Sequence, residues 1–168
     1  MNDTPLVALV KDAAALERLH GANTLLIDKT GTLTHGKPKV TNVEMAEGVS
    51  HSDLLAWAAA VSMFSEHPLA KAIENKAAES RCDMLSASDF EAVPGKGTRA
   101  LVDNGVVIVG KPAYLTESGI DLAPIEHVLY RLQREAKTVS VVARHGKAVG
   151  VLGIADTLKP DSVRAIKI

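Results

Sequence analysis

Two short turn signals constrain the fold of this chain more than any other feature. Asp103-Asn104-Gly105 stands beside the apolar run Val106 to Val109, and His145-Gly146-Lys147 lies between two Val-rich runs. Asn, Asp and Gly supply the left-handed backbone that a two-residue hairpin demands, so both signals predict antiparallel strand pairs. From Phe90 onward the pattern is one of short strands and tight turns. Between the hairpins the apolar spacing predicts a helix over Ile125 to Ala136. Two more helices precede them, Ser52 to about Val61 and Pro68 to about Arg81. The expected class is α/β, with an antiparallel β-sheet flanked by helices.

The two ends read differently. Asp12 to Leu19 is expected as a short helix capped by Asp12, with Ala13, Leu16 and Leu19 on its apolar face and Gly21 ending it. Thr24-Leu25-Leu26-Ile27 is expected as a strand of the buried parallel kind, running straight into the polar segment Asp28 to Thr32. Gly36-Lys37-Pro38 separates this unit from a candidate strand at Val40 to Met45. At the other end, an apolar strand over Val149 to Ala155 leads into Asp156 and Lys159-Pro160, and a helix starts at Asp161. Three segments are expected: 1–38 and 155–168 as pieces of one parallel unit, and 39–154 as an antiparallel unit inserted between them. A helix beginning so near the last residue, under a strand whose sheet partners are mostly missing, suggests part of a longer chain.

Composition narrows the function. Net charge is −1 over 168 residues and the basic residues are scattered, which argues against nucleic acid or an anionic membrane as partner. Aromatics make up 3%, leaving no ladder of rings for stacking bases and a core built mainly from Ala, Val, Leu and Ile. No apolar run approaches the ~20 residues needed to span a bilayer. One cysteine, Cys82, has no second cysteine to pair with, which fits a reducing, cytosolic setting. The six histidines are scattered without ligand-like clustering, so no structural metal is expected.

Three constellations carry chemistry. A carboxylate, Asp28, followed at once by Lys29, Thr30, Gly31 and Thr32, suits receipt of a phosphoryl group. The side chain is the nucleophile, and the amides, hydroxyls and lysine meet the phosphoryl oxygens. In Ser65-Glu66-His67-Pro68-Leu69-Ala70, Pro68 suits the first position of a helix. That puts His67 at the cap, with its ring at the positive end of the helix, while Leu69, Ala72 and Ile73 face the core. Glu66 beside it can stabilise the helix start. Val93-Pro94-Gly95-Lys96-Gly97 is a glycine turn ahead of a strand, and Gly110 ends the run Val106 to Val109. Each has a plain structural reading as well: a polar turn, a helix cap, a tight turn.

Asp28-Lys29-Thr30-Gly31-Thr32-Leu33-Thr34 is the full phosphorylation signature of P-type ATPases, and Ser65-Glu66-His67-Pro68-Leu69 resembles the nucleotide-domain motif of their heavy-metal branch. The resemblance runs in the family's order over nearly the whole chain. It implies a nucleotide-binding domain inserted into a partial Rossmann-like phosphorylation domain of the haloacid dehalogenase type. It further implies Asp28 as the phosphorylated nucleophile and a Mg2+ ligand, Thr30 as a second contact to Mg2+ and phosphate, and Lys29 as a charge-neutralising partner. ATP is expected at His67, with Glu66, Gly95, Lys96, Gly97 and Gly110 around it. Asp156 and Lys159-Pro160 resemble the segment where the chain re-enters the phosphorylation domain. In an intact pump, hinge motion brings ATP to Asp28 and a membrane domain moves copper, or zinc, cadmium or cobalt. The partners are ATP and the rest of the pump, with this portion facing the cytoplasm and monomeric on its own.

This sequence departs from the family in two places. The family often has a glutamate five positions before the histidine and an asparagine after the last glycine, where this chain has Ser62 and Lys111. Weaker binding, or a poorer choice between ATP and GTP, is the expected result. Because later motifs that complete the reaction are absent, ATP binding with little or no turnover is expected. Two other readings are a haloacid dehalogenase-type phosphatase and a non-catalytic ATP-binding module. The phosphatases usually carry a second aspartate two residues after the nucleophile, where this chain has Thr30.

Overall fold

The computed structural model describes residues 26–166, together with 14, 17, 20, 21, 23 and 24. Six strands form one sheet: β1 (Thr34–Met45), β2 (Ala87–Val93), β3 (Gly97–Val102), β4 (Gly105–Gly110), β5 (Thr138–Arg144) and β6 (Lys147–Leu158). Their spatial order is β1-β6-β5-β4-β3-β2, and every neighbouring pair is antiparallel. Over residues 26–166 these strands are accompanied by the α-helices α1 (His51–Ser62), α2 (Pro68–Glu79), α3 (Pro112–Glu117), α4 (Glu126–Arg134) and α5 (Pro160–Ile166). None of the helices described is long and apolar enough to cross a membrane.

Both hairpins form where the turn residues place them. Asp103 and Asn104 have φ of 46° and 58°, and Val102 pairs with Gly105 across the two-residue loop. His145 and Gly146 have φ of 50° and 74° between paired Arg144 and Lys147. Two successive positive φ values give the turn whose twist matches that of the flanking strands.

Strand alternation divides the core into two layers. Val107 and Val109 of β4, Val142 of β5, and Leu152 and Ile154 of β6 pack with Leu54, Leu55 and Val61 of α1 and Ile73 of α2. Val139, Val141 and Ala143 of β5 and Val151 of β6 turn the other way, against Tyr114, Leu115, Leu129 and Leu132 from α3 and α4. A sheet covered on both faces explains why β5 and β6 are apolar nearly throughout, although antiparallel sheets often leave one face wet.

Helix starts follow their caps. The Ser50 hydroxyl accepts from the Asp53 amide at 3.0 Å, and His67 caps α2 directly before Pro68. Helix α2 ends at Glu79, not at Arg81, because Arg81 takes φ of 53° and leaves the helical path. Helix α3 has no counterpart among the predicted elements. At its six residues it is too short for a periodic signal to emerge.

Among the described residues of the segment Thr24 to Ile27, the expected strand is not found. Thr24, Leu26 and Ile27 are exposed and outside any strand, with Leu26 at 94% exposure. A parallel strand exists only through hydrogen bonds to neighbours, and the described residues offer no parallel partner. The expected helix at 12–19 falls mostly outside the described residues, with Ala14 and Glu17 of it described and helical.

The candidate strands at Val40 to Met45 and Val149 to Ala155 prove to be parts of a longer ribbon. Thr34 pairs with Leu158 at one end and Met45 with Gly150 at the other. Register shifts between Thr34 and Pro38 and between Val40 and Asn42 accommodate Pro38. Proline has no amide proton for a ladder, so an edge strand with a bulge is where it is tolerated.

Candidate nucleotide cleft and phosphorylation loop

Two places gather the residues singled out in the sequence, and they lie toward opposite edges of the sheet. The first is the turn Lys29–Leu33 with its flanks, at the outer end of the β1–β6 ribbon. One Asp28 carboxylate oxygen accepts from the Thr30 amide at 3.3 Å. Thr34 sits beneath the turn at 1% exposure. Its hydroxyl accepts from the Gly31 amide at 3.1 Å and has its proton within reach of the Lys29 carbonyl and the Asp156 carboxylate.

Asp156 also accepts from the amides of Gly36, at 3.1 Å, and Lys37, at 3.3 Å. Lys159 Nζ donates to the Gly31 carbonyl at 2.8 Å, and its amide donates to Leu33 at 2.9 Å. The returning strand therefore shapes the loop that carries Asp28. Resemblance to the family's re-entry segment, together with chain order, pointed to Asp156 and Lys159; the buried Thr34 latch was not foreseen. Its signal would have been a threonine closing a glycine turn, where a hydroxyl can replace a backbone partner.

The second place is a cleft of about 300 Å³ at the start of α2, bounded by β2 to β5. It brings together His67, Gly95, Lys96, Gly97 and Gly110 from segments far apart in the chain, with Ser62, Lys111, Thr138 and Ser140. Leu69, Ile73, Val93, Val109 and Val139 supply apolar walls. Glu66 is exposed and is not among the lining residues, and neither are Asp28, Lys29 and Thr30.

His67 Nδ1 accepts from the Leu69 amide at 3.2 Å, satisfying one of the helix's free amides. While Nδ1 accepts, the ring proton sits on Nε2, which is left to meet a ligand. Val93 to Lys96 closes a turn in which the Lys96 amide donates to Val93 at 3.0 Å, with Pro94 second and Gly95 third at φ of 71°. Such a turn wants proline and glycine at those positions. Lys96 Nζ pairs with Glu117 of α3 on the surface, and the Lys111 amide donates to the Lys96 carbonyl at 2.9 Å.

Gly97 and Gly110 stand opposite each other in the β3–β4 ladder. A Cβ on Gly97 would lie 2.5 Å from the Val109 carbonyl oxygen and 2.7 Å from Gly110 Cα. One on Gly110 would lie 2.9 Å from the buried Tyr114 ring. These glycines thus have a packing reason of their own, in addition to lining the cleft.

Sequence reasoning missed Thr138 and Ser140. The available signal was a serine inside Val139-Ser140-Val141-Val142, a polar residue at a core-facing position of a central strand.

Residues 22–168 match the haloacid dehalogenase-like hydrolases. The chain belongs to that family. It corresponds to a segment of heavy-metal P-type ATPases. It is 41% identical over 159 residues to a copper-transporting P-type ATPase of Rhizobium leguminosarum bv. viciae, covering 95% of this chain and 19% of the relative. It is 42% identical over 158 residues to a probable cobalt/nickel-exporting P-type ATPase of Mycolicibacterium smegmatis, covering 94% of this chain and 23% of the relative. The chain therefore spans about a fifth of the length of these relatives.

Among solved structures, a zinc-transporting PIB-type ATPase in its E2.Pi state superposes with a TM-score of 0.76 at 34% identity, over 83% of this chain and 22% of that one. The N-domain of HMA6, a copper-transporting P-type ATPase, superposes with a TM-score of 0.57 at 27% identity, over 71% of this chain and 99% of that domain. A P-type ATPase segment of this family accounts for both the six-stranded antiparallel sheet and the Asp28 loop at its edge.

Proposed function

We propose that the cleft at His67 binds ATP and that, in the intact pump, this ATP phosphorylates Asp28 to drive heavy-metal transport across a membrane. The observation that carries the reading is the cleft itself, which assembles His67, the Gly95 turn and Gly110 around an apolar slot. An apolar slot with a few polar groups is what a nucleoside requires. Lys111 puts positive charge beside it and no lining residue is acidic, which suits a triphosphate, while the Lys96 ammonium is paired with Glu117.

In this reading residues 39–154 act as the nucleotide-binding domain, and 1–38 and 155–168 belong to the phosphorylation domain. An Asp28 carboxylate oxygen attacks the terminal phosphorus of ATP, an acyl phosphate forms, and ADP leaves. Lys29 offsets charge on the phosphoryl oxygens. The Asp28 carboxylate and the Thr30 carbonyl are hard oxygen donors of the kind Mg2+ takes, so the residues present fit that ion. When bound, Mg2+ supplies charge neutralisation at the transferring phosphoryl group.

Among the described residues no group of three or more His, Cys, Asp or Glu side chains converges, and Asp156 is engaged by Thr34, Gly36 and Lys37. Because the chain spans about a fifth of the length of its pump relatives, it is expected on its own to bind ATP with little or no turnover.

Calorimetric titration with ATP tests the reading. His67→Gln is expected to weaken binding by about tenfold, the scale of one lost hydrogen bond, while Asp28→Asn leaves it unchanged. Absence of ATP binding at millimolar concentration, or its loss in Asp28→Asn, would overturn the proposal.

A further inference from the structure

We infer that the base end of the cleft is read by two rotatable hydroxyls, those of Ser62 and Ser140, and that it accepts guanine as readily as adenine. The inference rests on the nucleotide-binding reading of the cleft and adds to it the determinants of base choice. Ser62 ends α1 and is 2% exposed; Ser140 lies on β5 and is 7% exposed. By strand alternation Ser140 shares the face of Val142, the face covered by α1 and α2, so both serines approach the cleft from the same side.

Neither hydroxyl bonds another described residue, unlike that of Ser118, which donates to the Tyr114 carbonyl at 2.8 Å. Yet neither is sealed off. Arg144 Nε is the one enclosed side-chain polar atom without a partner among the described residues. The serine hydroxyls therefore keep their remaining access through the cleft that they line. A nearly buried hydroxyl facing a cavity without a partner is a group awaiting a ligand.

The chemistry of the lining decides which ligand. It contains no carboxylate or carboxamide side chain, and its polar side chains are hydroxyls, two lysines and His67. A carboxylate only accepts, so it favours the adenine amino group and opposes the guanine carbonyl. A serine hydroxyl turns to suit either base. Toward adenine, one hydroxyl accepts from the exocyclic amino group and the other donates to N1. Toward guanine, the first donates to O6 and the second accepts from the N1 proton. The edge is recognised in both cases without a change of side chain.

Titration of the chain with ATP, GTP and CTP, with affinities from calorimetry and contacts from amide shifts, tests this directly. ATP and GTP are expected to bind within about fivefold of each other, because rotatable hydroxyls penalise neither edge. Ser62→Ala and Ser140→Ala are each expected to weaken both purine nucleotides by about three- to tenfold, with CTP little affected. Two results overturn the inference while leaving ATP binding intact: a preference for ATP over GTP of about thirtyfold or more, larger than rotatable groups allow, or purine affinities unchanged in both alanine variants. If neither purine nucleotide binds at millimolar concentration, the nucleotide-binding reading falls and this one with it.

Discussion

Gly97→Ala is expected to destabilise the chain by about 3 kcal/mol, the upper part of the usual range for forcing a methyl group into filled space, and to abolish ligand binding in the cleft. The new Cβ would meet the Val109 carbonyl oxygen at 2.5 Å and Gly110 Cα at 2.7 Å. Both are backbone atoms of the paired strand and cannot swing aside as a side chain could. Relief requires β3 and β4 to part, and their ends carry Lys96, Gly110 and Lys111, which line the cleft. Gly95→Ala is the informative contrast. Nothing lies within 4 Å of its added Cβ, so the loss reflects left-handed backbone alone, about 1 kcal/mol. Urea midpoints of the two variants measure the difference. Equal, small losses would show that β3 and β4 can separate at Gly97 with little cost.

The second large effect is expected at Asp156→Ala, a loss of about 2 kcal/mol, the scale of losing hydrogen bonds to a charged acceptor, with the Thr34 hydroxyl left to donate to the Lys29 carbonyl alone. Thr34 is almost wholly buried, whereas the Gly36 and Lys37 amides lie where water can replace the lost carboxylate. Amide exchange at Gly36 and Lys37 should accelerate, with exchange in the β3–β4 hairpin unchanged. Asp156→Asn retains one acceptor oxygen and is expected to lose about half as much. Unchanged exchange at Gly36 and Lys37 in the alanine variant would remove Asp156 as the anchor of the Asp28 loop.

Much of the local structure was legible in the order of residues. The turns at Asp103-Asn104 and His145-Gly146 adopt the positive φ their residues favour, and His67-Pro68 starts a helix as its cap chemistry requires. The Val93 to Lys96 turn follows from Pro94 and Gly95 in the same way. The strand expected at Thr24 to Ile27 failed for a different reason. Apolar composition reports a wish to be buried, and burial in a parallel sheet needs neighbours that the described residues do not provide.

Site residues divide along the same line. His67, the glycine turn and Asp28 were marked by short motifs, whereas Ser140 and the buried Thr34 were found through contacts made across the fold. Asp156 lies 122 residues from Thr34 in the chain. No local pattern specifies a contact at that separation; it follows from the β1–β6 ladder, which places the two residues together.

The sequence by itself determined where the chain turns, where helices begin and which faces are apolar. These are matters of backbone preference and side-chain period, decided within a few residues. Only the tertiary structure decided the strand order, the facing of Gly97 on Gly110, and the meeting of Ser62 with Ser140 in one cleft. Such arrangements depend on which distant surfaces bury one another best, a property of the whole packed core.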